Sequence, residues 1–333
     1  MTAPTAARRV TPNAVLVLPA DAPRDQWLAA RRKGIGSSDV ANIVGVGYQS
    51  SYHTWLDKLG RWDDGDEAGE AALWGQLHEK TIADEWCRRN ASVVRRVGLV
   101  ARADARWQMC TLDRRVLECP LNRDTREACA LEIKTRDKYK ADRWRNKAIP
   151  DDVLAQTAWQ RIVTGYDHVH VAVLIGGNDY RQTVVRKDAE LERFLLDSAG
   201  EFWQVNVGRK REPRWQLDKA EQLIRLDEQL HPERVGTAEL DVDGVGEVME
   251  YARLSREAGA ADKARTRQAA RLRELAGGRR VAQFGDQLAY SIDERSKDSC
   301  DLALLAEKYP DAYADCVRTK TYHQVTIAKE YRQ

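Results

Sequence analysis

Apolar residues recur along this chain at two periods, and the change of period divides it. From residue 24 to 90 they return every three to four positions, as on a helix. Trp27 and Leu28 mark a helix over 24–33. Val40, Ile43 and Val44 mark a second, and Trp55 and Leu56 a third over 51–59. Leu73, Leu77, Ile82 and Trp86 form the apolar face of a long fourth, 70–90. An acidic, Gly-containing linker at 63–69 precedes that helix. The period then falls to two. Runs at 93–100, 107–112 and 115–119, followed by the strand around Glu132, predict an antiparallel meander over 91–135. A helix over 151–164 comes next, with Leu154, Ala158 and Ile162 inward and Gly165 as its stop. A buried strand at 169–175, a Gly176-Gly177-Asn178-Asp179 turn and a return strand at 180–186 complete the sheet. Asp188 caps a further helix that runs to about Val207.

This order predicts an α/β core, a mixed central sheet flanked by helices, over 23–208. Residues 1–22 read as a disordered leader, within which 14–20 could instead be an early strand. Composition shifts after about residue 210. Helices at 219–230 and 245–276, a hairpin around Gly285-Asp286, short helices within 302–317 and a last strand at 322–327 predict an additional C-terminal α+β region over 209–333.

Charge limits the partners. The 333 residues carry a formal net charge of only +2 although 32% are charged. Nucleic-acid binding therefore needs a local basic surface rather than bulk charge. One such stretch is the loop after Thr135. It interleaves Lys138, Lys140, Arg143, Arg145 and Lys147 with Tyr139 and Trp144, a pattern suited to phosphate contact and base stacking. The later part of the 245–276 helix, from Lys263 to Arg273, is also basic, which fits a DNA-contacting face or a solvated one equally. No apolar run is long enough to span a membrane. The six cysteines, Cys87, Cys110, Cys119, Cys129, Cys300 and Cys316, contain no CxxC pair. Their spacing does not match the tight clustering of iron–sulfur ligands. Buried, reduced thiols of a cytoplasmic protein are the expectation.

The candidate chemistry lies in Leu131-Glu132-Ile133-Lys134-Thr135, read together with Asp113. Alternation on a strand puts Glu132 and Lys134 on one face and Ile133 on the other. Asp113, on a neighbouring strand or turn, can converge on that face. Two carboxylates can hold Mg²⁺, and a lysine beside them can hold a water or a phosphate oxygen. Chance supplies roughly two acidic-x-Lys matches in a chain of this composition, so the tripeptide needs context. Part of that context is Arg31-Arg32-Lys33-Gly34-Ile35-Gly36-Ser37-Ser38-Asp39. A Gly-Ser turn into a helix start, with Ser37 or Ser38 as cap and arginines beside it, makes an anion site. Glu79 lies beside the apolar face of the long helix, which suggests a metal or an arginine as its partner.

Taken in order, Gly34 to Asp39, Trp74-Gly75 with Glu79, Asp113, Leu131 to Thr135, Gln156 with Val163-Thr164-Gly165, and the Gly176-Gly177 turn closing on Tyr180 resemble the YqaJ-type viral recombinase family. That family includes the lambda exonuclease, within the PD-(D/E)xK nuclease superfamily. The resemblance covers about residues 24–208, and Tyr309-Pro310 onward looks like a C-terminal module of phage members. It implies a restriction-endonuclease-like core. It also implies a Mg²⁺-dependent exonuclease that digests one strand of linear duplex DNA from the 5′ end and leaves 3′ tails for a strand-annealing protein. It further implies two metal ions per site, with Mn²⁺ able to substitute, and a homo-oligomer, a trimeric ring. Carried over, Asp113, Glu132 and the Ile133 carbonyl ligate metal and Glu79 supports the second ion. Lys134 acts on the attacking water, and Arg31 or Arg32 with Ser38 holds the 5′ phosphate. The second glutamine of the family pattern falls on Ala158, so either Gln156 or Gln160 serves the site. Two other readings stand beside this one: an endonuclease or DNA-processing nuclease of related fold, and a non-catalytic DNA-binding recombination mediator.

Overall fold

The computed structural model describes residues 9–62, 69–319 and 322–332. Residues 63–68 of the expected linker lie outside the described residues. The chain divides into two compact units, Met1–Asp227 and Glu228–Gln333.

The first unit opens with β1 (Ala14–Leu18), α1 (Arg24–Arg31), α2 (Ser37–Ile43), α3 (Ser51–Lys58) and α4 (Glu70–Asn90). Then come β2 (Val94–Arg95), β3 (Leu99–Arg102), β4 (Met109–Thr111), β5 (Arg114–Val116) and β6 (Cys129–Arg136). The unit continues with α5 (Asp151–Thr164), β7 (His168–Ile175), β8 (Asp179–Arg186), α6 (Ala189–Glu201) and α7 (Ala220–Leu230), the last ending just past the division.

The expected meander is two sheets. β1, β3 and β4 form one, in that order, and β2, β5, β6, β7 and β8 form the other. Only β6 and β7 run parallel, and the other pairs of the larger sheet are antiparallel, so that sheet is mixed. The break follows from the three-residue lengths of β4 and β5. Each is too short to reach across, and the chain changes sheet at Leu112-Asp113 between them. Residues 1–8 of the expected leader lie outside the described residues, and β1 corrects the expectation for 14–18. Ala14 and Val15 are buried because the strand pairs antiparallel with β3.

The mixed sheet is covered on both faces. Ile82, Ala83 and Trp86 of α4 pack with Val116, Leu131, Ile133 and Ala172. Complete burial of one such residue, Leu131, contributes about 1.5–3 kcal/mol. The apolar face of α4 stops there: Leu73 and Leu77 are 46% and 56% exposed. α5 carries the chain from β6 to its parallel neighbour β7, as a parallel pair requires. It is buried on nearly every side, since it lies between elements of both sheets. Trp159, fully buried, donates from Nε1 to the carbonyls of Met109 at 3.0 Å and Ile35 at 3.2 Å. Gly34 is forced by this packing, because a Cβ there would stand 2.4 Å from the Trp107 carbonyl oxygen. Gly165 ends α5 at φ +76°, where a side chain is strained.

The basic loop after Thr135 is a kinked 3₁₀ segment, Lys138–Lys147. Trp144 is buried with Val153, Val171, Val173 and Ile175, so it is a core residue and not a stacking platform, whereas Tyr139 is exposed. The first unit extends past the expected boundary at 208. Gln216 explains this: Oε1 accepts the Ser51 N–H at 2.8 Å and Nε2 donates to the Asn42 and Ile43 carbonyls at 3.2 Å.

The second unit holds α8 (Val242–Ala276), β9 (Val281–Phe284), β10 (Gln287–Ser291), α9 (Leu302–Lys308) and α10 (Pro310–Cys316). β9 and β10 form the expected hairpin. The expected last strand is absent: residues 322–327 lack strand pairing. No helix among the described residues is long and apolar enough to cross a membrane.

Candidate active site

Asp113 stands at the change of sheet. Buried Leu112 anchors the link, and Asp113 turns back over β6, where its Oδ2 accepts the Ile133 N–H at 2.7 Å. β6 alternates as its sequence requires. Ile133 enters the core beneath α4, and Glu132 and Lys134 face the α5 side. Lys134 Nζ donates to Glu132 Oε1. Gln160 Nε2 donates to Glu132 Oε2 at 2.6 Å and also meets the Thr111 carbonyl at 3.3 Å. Both Glu132 oxygens are therefore held, one by a neighbour on its own strand and one from α5.

The electrostatics follow from this crowding. Burial, the Glu132 charge and then Glu79 push the Asp113 carboxyl up to about 8, against the pull of Lys134 and the Ile133 N–H. Burial acts to lower Lys134, but the Glu132 and Asp113 carboxylates outweigh it and hold the ammonium above its ordinary value. Two half-compensated carboxylates are a poor arrangement for the protein alone and a good one for a divalent cation. Gln160 Oε1, a further hard oxygen donor, is buried without a protein partner. The donor set thus fits Mg²⁺, which takes oxygen ligands.

The opposite wall comes from α1 and α2. Arg31 donates to Ser38 Oγ at 3.1 Å and to Asp39 Oδ1 at 2.8 Å. Asp39 is 2% exposed and also binds Lys58 Nζ at 2.6 Å and the Gly36 N–H at 2.7 Å. The expected cap, Ser37 or Ser38, is not the cap of α2. Gly36 is the cap residue, and Asp39, three residues on, takes its N–H. Burial works against Asp39 ionising, yet Lys58 and Arg31 hold its carboxyl far below the usual range.

Asp113, Glu132, Lys134, Gln156, Gln160, Arg31, Ser37 and Ser38 line one cleft of about 180 Å³. Three expected members stand outside it: Ile133, whose side chain enters the core beneath α4, Arg32 and Glu79. Arg32 turns to Asp57 Oδ1 at 3.3 Å. Glu79 is bound by Arg114, whose NH1 also donates to the Asp113 carbonyl at 2.5 Å, so Glu79 reaches the site through an arginine. Of the two glutamines, Gln160 touches Glu132 and Gln156 only lines the cleft. Sequence reasoning gave no role to Asp39, Lys58 or Trp159. A signal existed for Lys58, which lies three residues after the core residue Trp55 and so shares its inward helix face.

Residues 26–167 match the model of the YqaJ-like viral recombinase domain. That stretch is similar to a YqaJ-like viral recombinase domain; it begins within α1, contains every cleft residue named above, and ends just before β7. The YqaJ protein of Bacillus subtilis (strain 168) is 32% identical over 197 residues, which are 58% of this chain. The chain spans 59% of that relative's length. Among solved structures, an alkaline exonuclease from Laribacter hongkongensis is similar over 62% of this chain and 99% of its own, at 16% identity and a TM-score of 0.46. A phage-related exonuclease from Haemophilus somnus 129PT is similar over 54% of this chain and 96% of its own, at 9% identity and a TM-score of 0.37.

The thiols differ in burial. Cys110, Cys119 and Cys129 are buried as expected, Cys87 is half-buried, and Cys300 and Cys316 are exposed. Cys110 borders the cleft, whereas Cys119 and Cys129 lie in the core beneath α4.

Proposed function

We propose that this protein is a Mg²⁺-dependent deoxyribonuclease that digests one strand of linear double-stranded DNA from the 5′ end. The product is a 3′ single-stranded tail for phage-type recombination by strand annealing. One observation carries this reading: Asp113, Glu132 and Lys134 converge in a cleft whose far wall presents Arg31, Ser37 and Ser38. Asp113, Glu132 and the Ile133 carbonyl would hold metal, with Glu79 supporting a second ion and Mn²⁺ able to replace Mg²⁺. Bound metal neutralises charge on the scissile phosphate and lowers the pKa of a water. Gln160 fixes the direction of Glu132. Lys134, kept charged by its two carboxylates, holds the attacking water or a phosphate oxygen. Arg31 stands on that wall beside Ser38, where its guanidinium would meet a terminal phosphate. Ser38 adds a hydroxyl, and Gln156, which lines the cleft, would face the bound strand. A strand-annealing protein as partner and a trimeric ring belong to the same proposal.

The test is digestion of linear duplex DNA with Mg²⁺, one 5′ end phosphorylated and the other not, beside Lys134→Ala. Loss of the phosphorylated strand in wild type alone supports the proposal. Cutting of closed circles would make the protein an endonuclease. Intact DNA with retained binding would make it a recombination mediator.

A further inference from the structure

On the face of β6 opposite Glu132 and Lys134 lies a second cluster of ligating side chains. Cys129 is the first residue of β6, and His168 and His170 lie two apart on β7 and so share a face. Ala130 pairs with Val169, which brings Cys129 alongside His168. Cys119, three residues past β5, completes the group. Among the described residues, these four offer Sγ, Sγ and two ring nitrogens all within 4.8 Å of one another. Each residue is at most 4% exposed.

We propose that Cys119, Cys129, His168 and His170 bind a structural Zn²⁺ ion that clamps the roots of β5, β6 and β7 beneath the nuclease cleft.

The distances carry the argument. Cys119 Sγ lies 3.1 Å from His168 Nε2 and 3.4 Å from His170 Nε2, and the two nitrogens are 3.2 Å apart. These three sides make a nearly equilateral triangle, with corners close to 60°. Hydrogen bonds prefer donors that point straight at acceptors, so such a triangle cannot be closed well by protons. It is the face of a tetrahedron. Bonds of about 2.0–2.1 Å to nitrogen and 2.3 Å to sulfur put tetrahedral ligand atoms roughly 3.3–3.8 Å apart. Four ligands of this type leave no open position, as in structural zinc sites. The surroundings fit as well. His168 Nδ1 faces Asp167 Oδ2 at 3.4 Å, which turns the Nε2 lone pair inward. The His170 ring packs against Trp86 at 4.9 Å between centroids, and Ile82, Leu131 and Val116 close the cluster off from water. Tetrahedral S₂N₂ favours zinc, with iron as the competitor. Binding displaces the two thiol protons to solvent and changes no oxidation state.

The experiment uses the full chain, expressed with zinc in the medium and purified under reducing conditions without chelator. Elemental analysis should find about one zinc per chain. Co²⁺ exchanged into the site should show thiolate-to-cobalt absorption bands. Asp113→Ala should keep its zinc, because the cleft lies on the other face of the sheet, whereas Cys129→Ser and His170→Gln should lose it. Should those two variants fail to fold, chelator titration of wild type decides. Zinc release should lower the melting temperature, and Zn²⁺ alone, not Mg²⁺, should restore it. Wild type that takes up no zinc on reconstitution, that holds iron instead, or that melts unchanged after its zinc is removed overturns the proposal.

Discussion

Metal binding in the cleft should release a proton, because the Asp113 carboxyl is pushed up to about 8 by burial and by Glu132. One pH unit below a pKa leaves about one group in eleven ionised. A carboxyl must lose its proton to ligate a hard cation. Titration with Mg²⁺ alone, in two buffers of different ionisation enthalpy, should thus report about 0.9 proton released per chain at pH 7 and about 0.5 at pH 8. Apparent affinity should rise about tenfold per pH unit up to about pH 8 and then level off. The same shift bears on folding. The folded value lies above the ordinary 3.8, so between 3.8 and about 8 the metal-free folded state binds the extra proton. Stability then falls as pH rises through that window, by up to about 1.4 kcal/mol per unit. Metal-free Asp113→Asn should therefore melt higher than wild type at pH 9, and the gap should close towards pH 4. Release below about 0.2 proton at pH 7, with binding intact, would refute the burial argument, because the carboxyl would then already be ionised.

Three further outcomes are expected. Lys134→Ala should lower nucleotide release by about 10²–10³-fold while circular dichroism stays unchanged, since the side chain acts on developing charge and only partly supports the fold. Lys58→Met should destabilise the first unit by about 3–5 kcal/mol in urea unfolding, because it strands a buried carboxylate, and Asp39→Asn in the same chain should recover part of the loss. Asp39 also sets an acid limit. Its folded pKa is depressed, so its contribution is complete above the ordinary 3.8 and is lost as pH falls below that, and an acid titration should show Asp39→Asn losing less stability than wild type over that range.

Much of the fold was legible because period is a local property. The helices α1 to α5 and the pair β7–β8 follow from spacings of 3.6 and 2, and from Gly165 and the Gly176-Gly177 turn. Leu131 to Thr135 on a strand, with Glu132 and Lys134 on one face, also follows from alternation alone. What alternation cannot say is which strands pair. That the 91–135 stretch splits into two sheets depended on β1 reaching β3, a contact about 85 residues apart along the chain. Composition likewise could not tell that Trp144 is core, or that residues 209–227 fasten to the first unit through Gln216.

At the cleft, the sequence by itself determined the chemistry: two carboxylates, a lysine, an arginine-serine turn. Only the tertiary structure decided the partners. It chose Gln160 over Gln156 for Glu132, gave Glu79 to Arg114, turned Arg32 to Asp57, and buried Asp39 between Arg31 and Lys58. Cys119, Cys129, His168 and His170 make the same point, since the two pairs lie about 40 residues apart and meet only because β6 and β7 run side by side. The reason is physical. Residue type and spacing fix what a side chain can do and which way it faces, but a charge finds its counter-charge through packing between elements far apart in the chain.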